Sequence, residues 1–138
     1  MGLFDIFKKK KDENTVVWYK TLEQAKNGEI TEQDFVNINA DFPLYYSTPA
    51  GEDASGKVRL WLITHPKIET VFYPAFTSEK LCKAHFASAG RQGFVIIKGT
   101  LESLLNSLDT LENVAECGAF IYDEKQDAIL APNLRVKK

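Results

Sequence analysis

The stretch "YPAFTSEKL", residues 73–81, holds a strand that stops, a polar corner and a helix that starts, and the way it is read decides the fold. Pro74 has no backbone N–H and is expected to end strand pairing. Thr77 or Ser78 supplies a hydroxyl to cap the next helix, and Glu79 stands in its first turn, where the helix dipole favours an anion. In "SEKLCKAHFASA" (residues 78–89), Leu81, Cys82, His85, Phe86 and Ala89 share one face at helical spacing, with Lys80, Lys83, Ala84 and Ser88 away from it. Each polar residue of the corner has a backbone-shaping task, so it reads as a corner of the fold and not as an active-site loop.

Upstream lie three strand candidates rich in β-branched and aromatic residues: "PLYYSTP" (43–49), "KVRLWLITH" (57–65) and "IETVFYPAF" (68–76). The link "AGEDASG" reads as a polar loop, and His65-Pro66-Lys67 is short enough to join antiparallel neighbours. Both faces of "RLWLIT" are apolar, which predicts a central strand. Further upstream, "NTVVWYKTLEQAKNG" predicts a helix capped by Asn14, with Trp18, Leu22 and Ala25 inward and a stop at Asn27-Gly28. Thr31 opens a second helix with Asp34 in a capping-box position and Phe35 and Ile38 facing inward.

Downstream, "FVIIK" (94–98) is a continuous apolar run that suits a strand covered on both sides. Thr100 caps a helix whose Leu101, Leu104, Leu105 and Leu108 follow the i, i+3, i+4, i+7 template. "GAFIYD" and "AILAP" flank "EKQ" as a hairpin. The expected fold class is α+β: a single domain with a mixed, mostly antiparallel sheet of about five to six strands packed with three to four helices. Residues 1–13 form a basic amphipathic N-terminal tail, 14–134 the domain, and 135–138 a basic C-terminal tail.

The chain has 138 residues, one domain's worth of core. Its net charge of −2 hides a polarised distribution, because seven of the 17 basic residues sit at the ends. Residues 14–134 carry 10 basic against 16 acidic residues, a net of −6 (10 − 16). Such a body repels phosphate backbones, which weighs against a nucleic-acid partner, and attracts a basic protein. Two cysteines without a secretory leader point to a reducing, cytoplasmic setting. The longest apolar runs fall far short of the roughly 20 residues a membrane span needs.

Three motifs tempt and fail. "GEDASGKV" (51–58) has the glycines and lysine of a phosphate loop, but Val58 stands where a magnesium-holding hydroxyl belongs, and a strand follows in place of a helix. Cys82 and His85 have C-x-x-H spacing, and His65 and Cys117 could complete a zinc set, yet structural zinc sites show two tight pairs and here there is one. Read as a nucleophilic pair, Cys82 and His85 lie three residues apart on one helix and lack a base-orienting third group. No cofactor and no catalytic residue is therefore expected.

The remaining candidate is the opening "MGLFDIFKKKKDEN". Leu3, Phe4, Ile6 and Phe7 fall in one helical arc and Lys8, Lys9, Lys10 and Lys11 follow, a combination suited to an anionic membrane surface or a partner. Alone the segment is too short for a stable helix. Ile6 occupies the place where a myristoylation signal wants Ser or Thr.

With "FPLYYSTP", "VFYPAFTSEKL", the apolar strand and "GTLESLLNSL" in this order, residues 14–131 resemble the SseB-type (enhanced serine sensitivity) N-terminal domain of bacterial proteins. Tyr122-Asp123 stands where that family typically has Asn-Pro. The resemblance implies a bacterial, cytoplasmic α+β domain without an established catalytic set, and so a fold more than a function. The expected function is non-enzymatic protein binding, in one version as an immunity-type inhibitor of a basic toxin domain. A membrane-surface or assembly adaptor using residues 2–11 is the alternative, and an enzyme ranks last.

Overall fold

The computed structural model describes residues 3–47, 50–52, 58–60, 62–65, 68–90, 95–110 and 116–137. In chain order the elements are helices α1 (Leu3–Lys26) and α2 (Glu32–Ile38), then strands β1 (Pro43–Ser47), β2 (Ala50–Glu52), β3 (Val58–Leu60), β4 (Ile63–His65) and β5 (Ile68–Phe76). They continue as α3 (Glu79–Ser88), β6 (Ile96–Thr100), α4 (Leu101–Ser107), a 3-10 turn (Leu108–Thr110), β7 (Cys117–Tyr122) and β8 (Ala128–Leu130). Six strands form one mixed sheet in the order β6-β1-β5-β7-β8, with β4 also on β5, while β2 and β3 pair as a separate ribbon. The architecture is the expected α+β.

The long strand β5 organises the sheet. One of its edges runs parallel to β7 from Val71↔Cys117 to Phe76↔Tyr122. The other edge is shared: β4 pairs antiparallel with its first half, ending at Ile63↔Phe72, and β1 takes over at Tyr45↔Phe76. Pro74 falls between these two registers, so the expectation that it ends the strand is corrected. It sits where one partner leaves and the next begins, and its missing N–H marks that changeover.

Side-chain alternation with period two sends successive residues to opposite layers. Leu44, Tyr46, Tyr73, Ala75, Cys117, Ala119 and Ile121 join Trp18, Leu22, Phe35 and the α4 leucines in the larger core. On the other face, Phe76 packs with Cys82 and Phe86 of α3, and Tyr45 and Tyr122 close against them. All four leucines of the α4 template are buried, as their spacing requires.

Local capping follows the sequence closely. Thr31 and Asp34 form the reciprocal capping box of α2, Ser78 caps α3 by accepting from the Leu81 N–H, and Thr100 caps α4. Gly28, at φ +76, ends α1 in the left-handed conformation that glycine adopts without strain. Helices α1 and α2 are joined by a buried polar bridge: Asn39 Nδ2 donates to Thr21 Oγ1 and to the Phe35 carbonyl, both at 2.9 Å. Trp18 stacks on Phe42 beside it, with ring centroids 4.2 Å apart.

Several expectations are overturned by longer-range packing. Asn14 is not a cap, because α1 runs continuously from Leu3 through it. Ile38 is 52% exposed, and Val36 is buried in its place, because the core side of this seven-residue helix is set by Phe35, Val36 and Asn39. Ala89, beyond the last turn of α3, is exposed. "KVRLWLITH" is no central strand: it divides into β3, which pairs with β2, and β4, which has only β5 beside it among the described residues. "AGEDASG" is a strand at its start, Ala50–Glu52, and residues 53–57 lie outside the described residues. "FVIIK" is an edge strand with Val95 66% and Ile97 36% exposed, because β6 pairs with β1 alone among the described residues. The "EKQ" hairpin forms as expected, with Ala119↔Leu130 and Ile121↔Ala128 in register.

Candidate functional site

The "AFTSEKL" corner is a hydrogen-bonded knot. Strands β5 and β7 end side by side, and the Thr77 N–H donates to the Tyr122 carbonyl at 3.1 Å, extending their ladder by one rung. The next residue, Asp123, gathers three parts of the chain. Its Oδ1 accepts the Thr77 hydroxyl at 2.6 Å, and its Oδ2 accepts the Tyr19 hydroxyl of α1 at 2.6 Å. Oδ2 also accepts the backbone N–H groups of Lys125 and Gln126, at 2.9 and 3.2 Å, shaping the turn into β8.

The electrostatics agree with this geometry. Burial alone would raise the Asp123 carboxyl, but the donors from Thr77, Tyr19, Lys125 and Gln126 together hold it below the usual carboxylate range. Burial, and then the bond to Asp123, push Tyr19 up to about 12. Both partners favour the neutral phenol and the charged carboxylate. All the acceptor capacity of Asp123 that these contacts engage is spent on the protein's own groups, so the knot is structural.

The thiols and imidazole are also placed by packing. Cys82 is fully buried on the α3 side of the sheet and Cys117 is buried on the opposite side, so the sheet separates them. The Cys117 thiol donates to the Gly118 carbonyl at 3.3 Å, and burial pushes its pKa up, against a reactive thiolate. His85 is half-buried among the rings of Phe76, Tyr122 and Phe86, 5.1 to 5.3 Å away. The side chain of His65 lies outside the described residues. Among the described residues no three His, Cys, Asp or Glu side chains come together as a metal-holding group.

Burial lowers the pKa of His85, with no charged neighbour contributing. A histidine whose folded value lies below its unfolded one, about 6.5, contributes stability that is complete above that value and is lost as pH falls through the folded one. Urea unfolding at pH 7 and pH 5 should therefore show a decline for the native chain that is smaller in His85→Phe. An identical decline in both would remove His85 from the acid limb.

At the two ends of the phosphate-loop-like stretch Glu52 of β2 pairs with Val58 of β3; residues 53–57 lie outside the described residues, and a strand, not a helix, follows them. Leu3, Phe4, Ile6, Phe7, Lys8, Lys9, Lys10 and Lys11 lie on the first turns of α1, and their side chains are outside the described residues. Joined to a docked helix, this segment escapes the nucleation cost that would defeat it alone. Among the described residues no helix is long and apolar enough to cross a membrane. The C-terminal residues are tied to the domain: Gln33 donates to the Arg135 carbonyl at 2.7 Å, the Lys137 N–H donates to Asn37 at 2.9 Å, and Arg135 pairs with Asp109 at 2.8 Å.

An open cavity of about 190 Å³ lies between α1, α2 and β8. Leu22, Ala25, Phe35, Ile129 and Leu130 supply its apolar lining, and Lys26, Glu32 and Asp127 its charged side chains. It lies beside the turn between the end of α1 at Lys26 and the start of α2 at Glu32. Sequence periodicity assigned Leu22 and Phe35 to a core face and "AILAP" to a hairpin, and nothing local in these segments signals that they meet. Compared with family models, curated proteins and solved structures, this chain matches none.

Proposed function

We propose that this chain is a non-enzymatic protein-binding domain whose binding face is the side where α1, α2 and β8 surround the open cavity. The observation that carries the reading is the cavity itself, apolar inside and charged at its rim, in a body with 10 basic and 16 acidic residues between positions 14 and 134. Pockets of this kind receive anchoring side chains at protein interfaces, and a net-acidic surface steers a basic partner toward them. A concrete version is an immunity-type inhibitor of a basic toxin domain, acting in the cytoplasm of a bacterium, where Cys82 and Cys117 remain thiols.

The test is co-expression with the product of the adjacent gene, followed by size-exclusion chromatography at low and high salt. A complex at low salt that dissociates as salt rises supports the reading, because screening weakens steered association. Monomer alone at low salt counts against it.

The continuity of α1 from Leu3 favours a second reading, a membrane-surface or assembly adaptor. An apolar arc followed by lysines on an established helix matches the chemistry of an interfacial anchor. Deleting residues 2–11 should abolish binding to vesicles containing anionic lipid while leaving the fold intact, and full-length chain that ignores such vesicles removes this reading.

A further inference from the structure

We infer that the cavity between α1, α2 and β8 is an anchor pocket for one bulky apolar side chain carried on a basic segment of a partner protein. This rests on the protein-binding reading and names the chemistry that the partner must present.

Size comes first. Cofactors and drug-sized ligands occupy pockets of roughly 300–1,000 Å³. A space of about 190 Å³ falls below that range. One leucine-like side chain with its flanking backbone suits such a space. Leu22, Phe35 and Leu130 are buried and form fixed walls, whereas Ala25 is only partly buried and leaves apolar surface for an incoming group to cover.

Charge decides what flanks that side chain. Glu32 and Asp127 stand at the rim against Lys26, all three exposed, giving two carboxylates to one ammonium. No ion pair joins Lys26 to either carboxylate among the described residues. Asp127 accepts the Asp123 N–H at 3.0 Å across the turn into β8 through its Oδ1. Lysine or arginine on either side of the anchor would find these carboxylates, while an acidic flank would meet like charge. The apolar contact supplies affinity and the rim supplies selection.

The probe is a capped peptide, Lys-Arg-Leu-Lys-Arg, titrated into the isotopically labelled full chain and followed by amide chemical shifts. Two controls replace its leucine by alanine or its basic residues by glutamate. Saturable shifts at Ala25, Phe35 and Ile129 are expected with the first peptide, with affinity at least tenfold weaker for each control. Ala25→Phe should weaken the first peptide about tenfold by filling the space, and Glu32→Lys, a change at an exposed position that keeps the fold, should do the same by reversing a rim charge. Equal binding of the alanine peptide would reduce the effect to bulk charge, and equal binding of the glutamate peptide would remove the role of the rim. Either result, or the absence of saturable shifts, overturns the inference. If a partner complex forms and Ala25→Phe leaves it unchanged, binding occurs elsewhere and only the pocket assignment fails. Absence of any complex bears on the broader reading, while saturable peptide binding would stand without it.

Discussion

Replacing Asp123 by alanine is expected to lower the unfolding free energy by about 2–3 kcal/mol, since it removes the shared acceptor of two side-chain hydroxyls and two backbone N–H groups. Hydrogen bonds to a charged acceptor are the stronger kind, and the loss falls on groups from α1, the β5 corner and the β7–β8 turn at once. Urea denaturation at pH 7 should show the midpoint falling by about 1–2 M with the slope unchanged. Asp123→Asn should cost less, about 1 kcal/mol, because an amide oxygen still accepts while the charge is gone. Tyr19→Phe combined with Asp123→Ala should destabilise by less than the sum of the two single changes, because the residues share one bond. Additive costs would mean that Tyr19 and Asp123 are not coupled.

The pH dependence has a definite sign. The Asp123 carboxyl is depressed in the folded state, so its contribution is complete above the unfolded value of about 3.9 and disappears as pH falls through the folded one. Tyr19 is raised to about 12 from an ordinary 10, so its contribution is complete below pH 10 and is lost as pH climbs toward 12. The native chain should lose stability at both extremes, and Asp123→Ala should flatten both limbs.

A comparable loss is expected from Gly118→Ala, about 2–3 kcal/mol, through a different mechanism. Gly118 lies opposite Phe72 in the parallel β5–β7 ladder. A methyl group there would overlap the Leu130 carbonyl oxygen and lie 2.9 Å from the ring of Phe72, which is itself buried. The carbonyl belongs to β8, which pairs with β7, so relief requires the strands to separate locally. Gly90→Ala is the informative control: its φ is +76 but nothing stands within 4 Å of the added carbon, so only backbone strain of about 1–2 kcal/mol applies. Thermal unfolding of both variants compares the two effects directly. Adding Phe72→Leu to Gly118→Ala should fail to restore stability, because the backbone clash remains; full recovery would place the clash on the ring instead.

What could be read from the sequence divides along a physical line. Thr31 and Thr100 were legible as caps, and Ser78 as one of two candidates with Thr77, because a cap satisfies N–H groups only two or three residues away. The four α4 leucines were legible because helical periodicity is local. Strand identity in "IETVFYPAF" was equally clear, but strand position was not. Both "RLWLIT" and "FVIIK" are apolar enough for the sheet centre, yet the first divides between the separate β2–β3 ribbon and β4, and the second lies at the sheet's edge among the described residues, since neighbours are fixed by pairings far away in the chain. Ile38 failed for the same reason: Trp18 and Asn39 set the rotation of α2, and its own pattern did not. Asp123 was noticed only as a departure from a family pattern, although an aspartate opening a tight turn is a recognised turn-former. Its links to Tyr19, 104 residues away, and Thr77, 46 residues away, have no local signature.

The parallel pairing of β5 with β7 also constrains when this molecule can be born. During synthesis the amino-terminal half emerges first, yet the strand that completes its middle belongs to residues 117–122, and α3, β6 and α4 intervene. Until that late segment leaves the ribosome, one whole side of residues 71–76 waits without its partner. Nascent chains halted short of Cys117 should therefore be the species that chaperones hold and proteases cut.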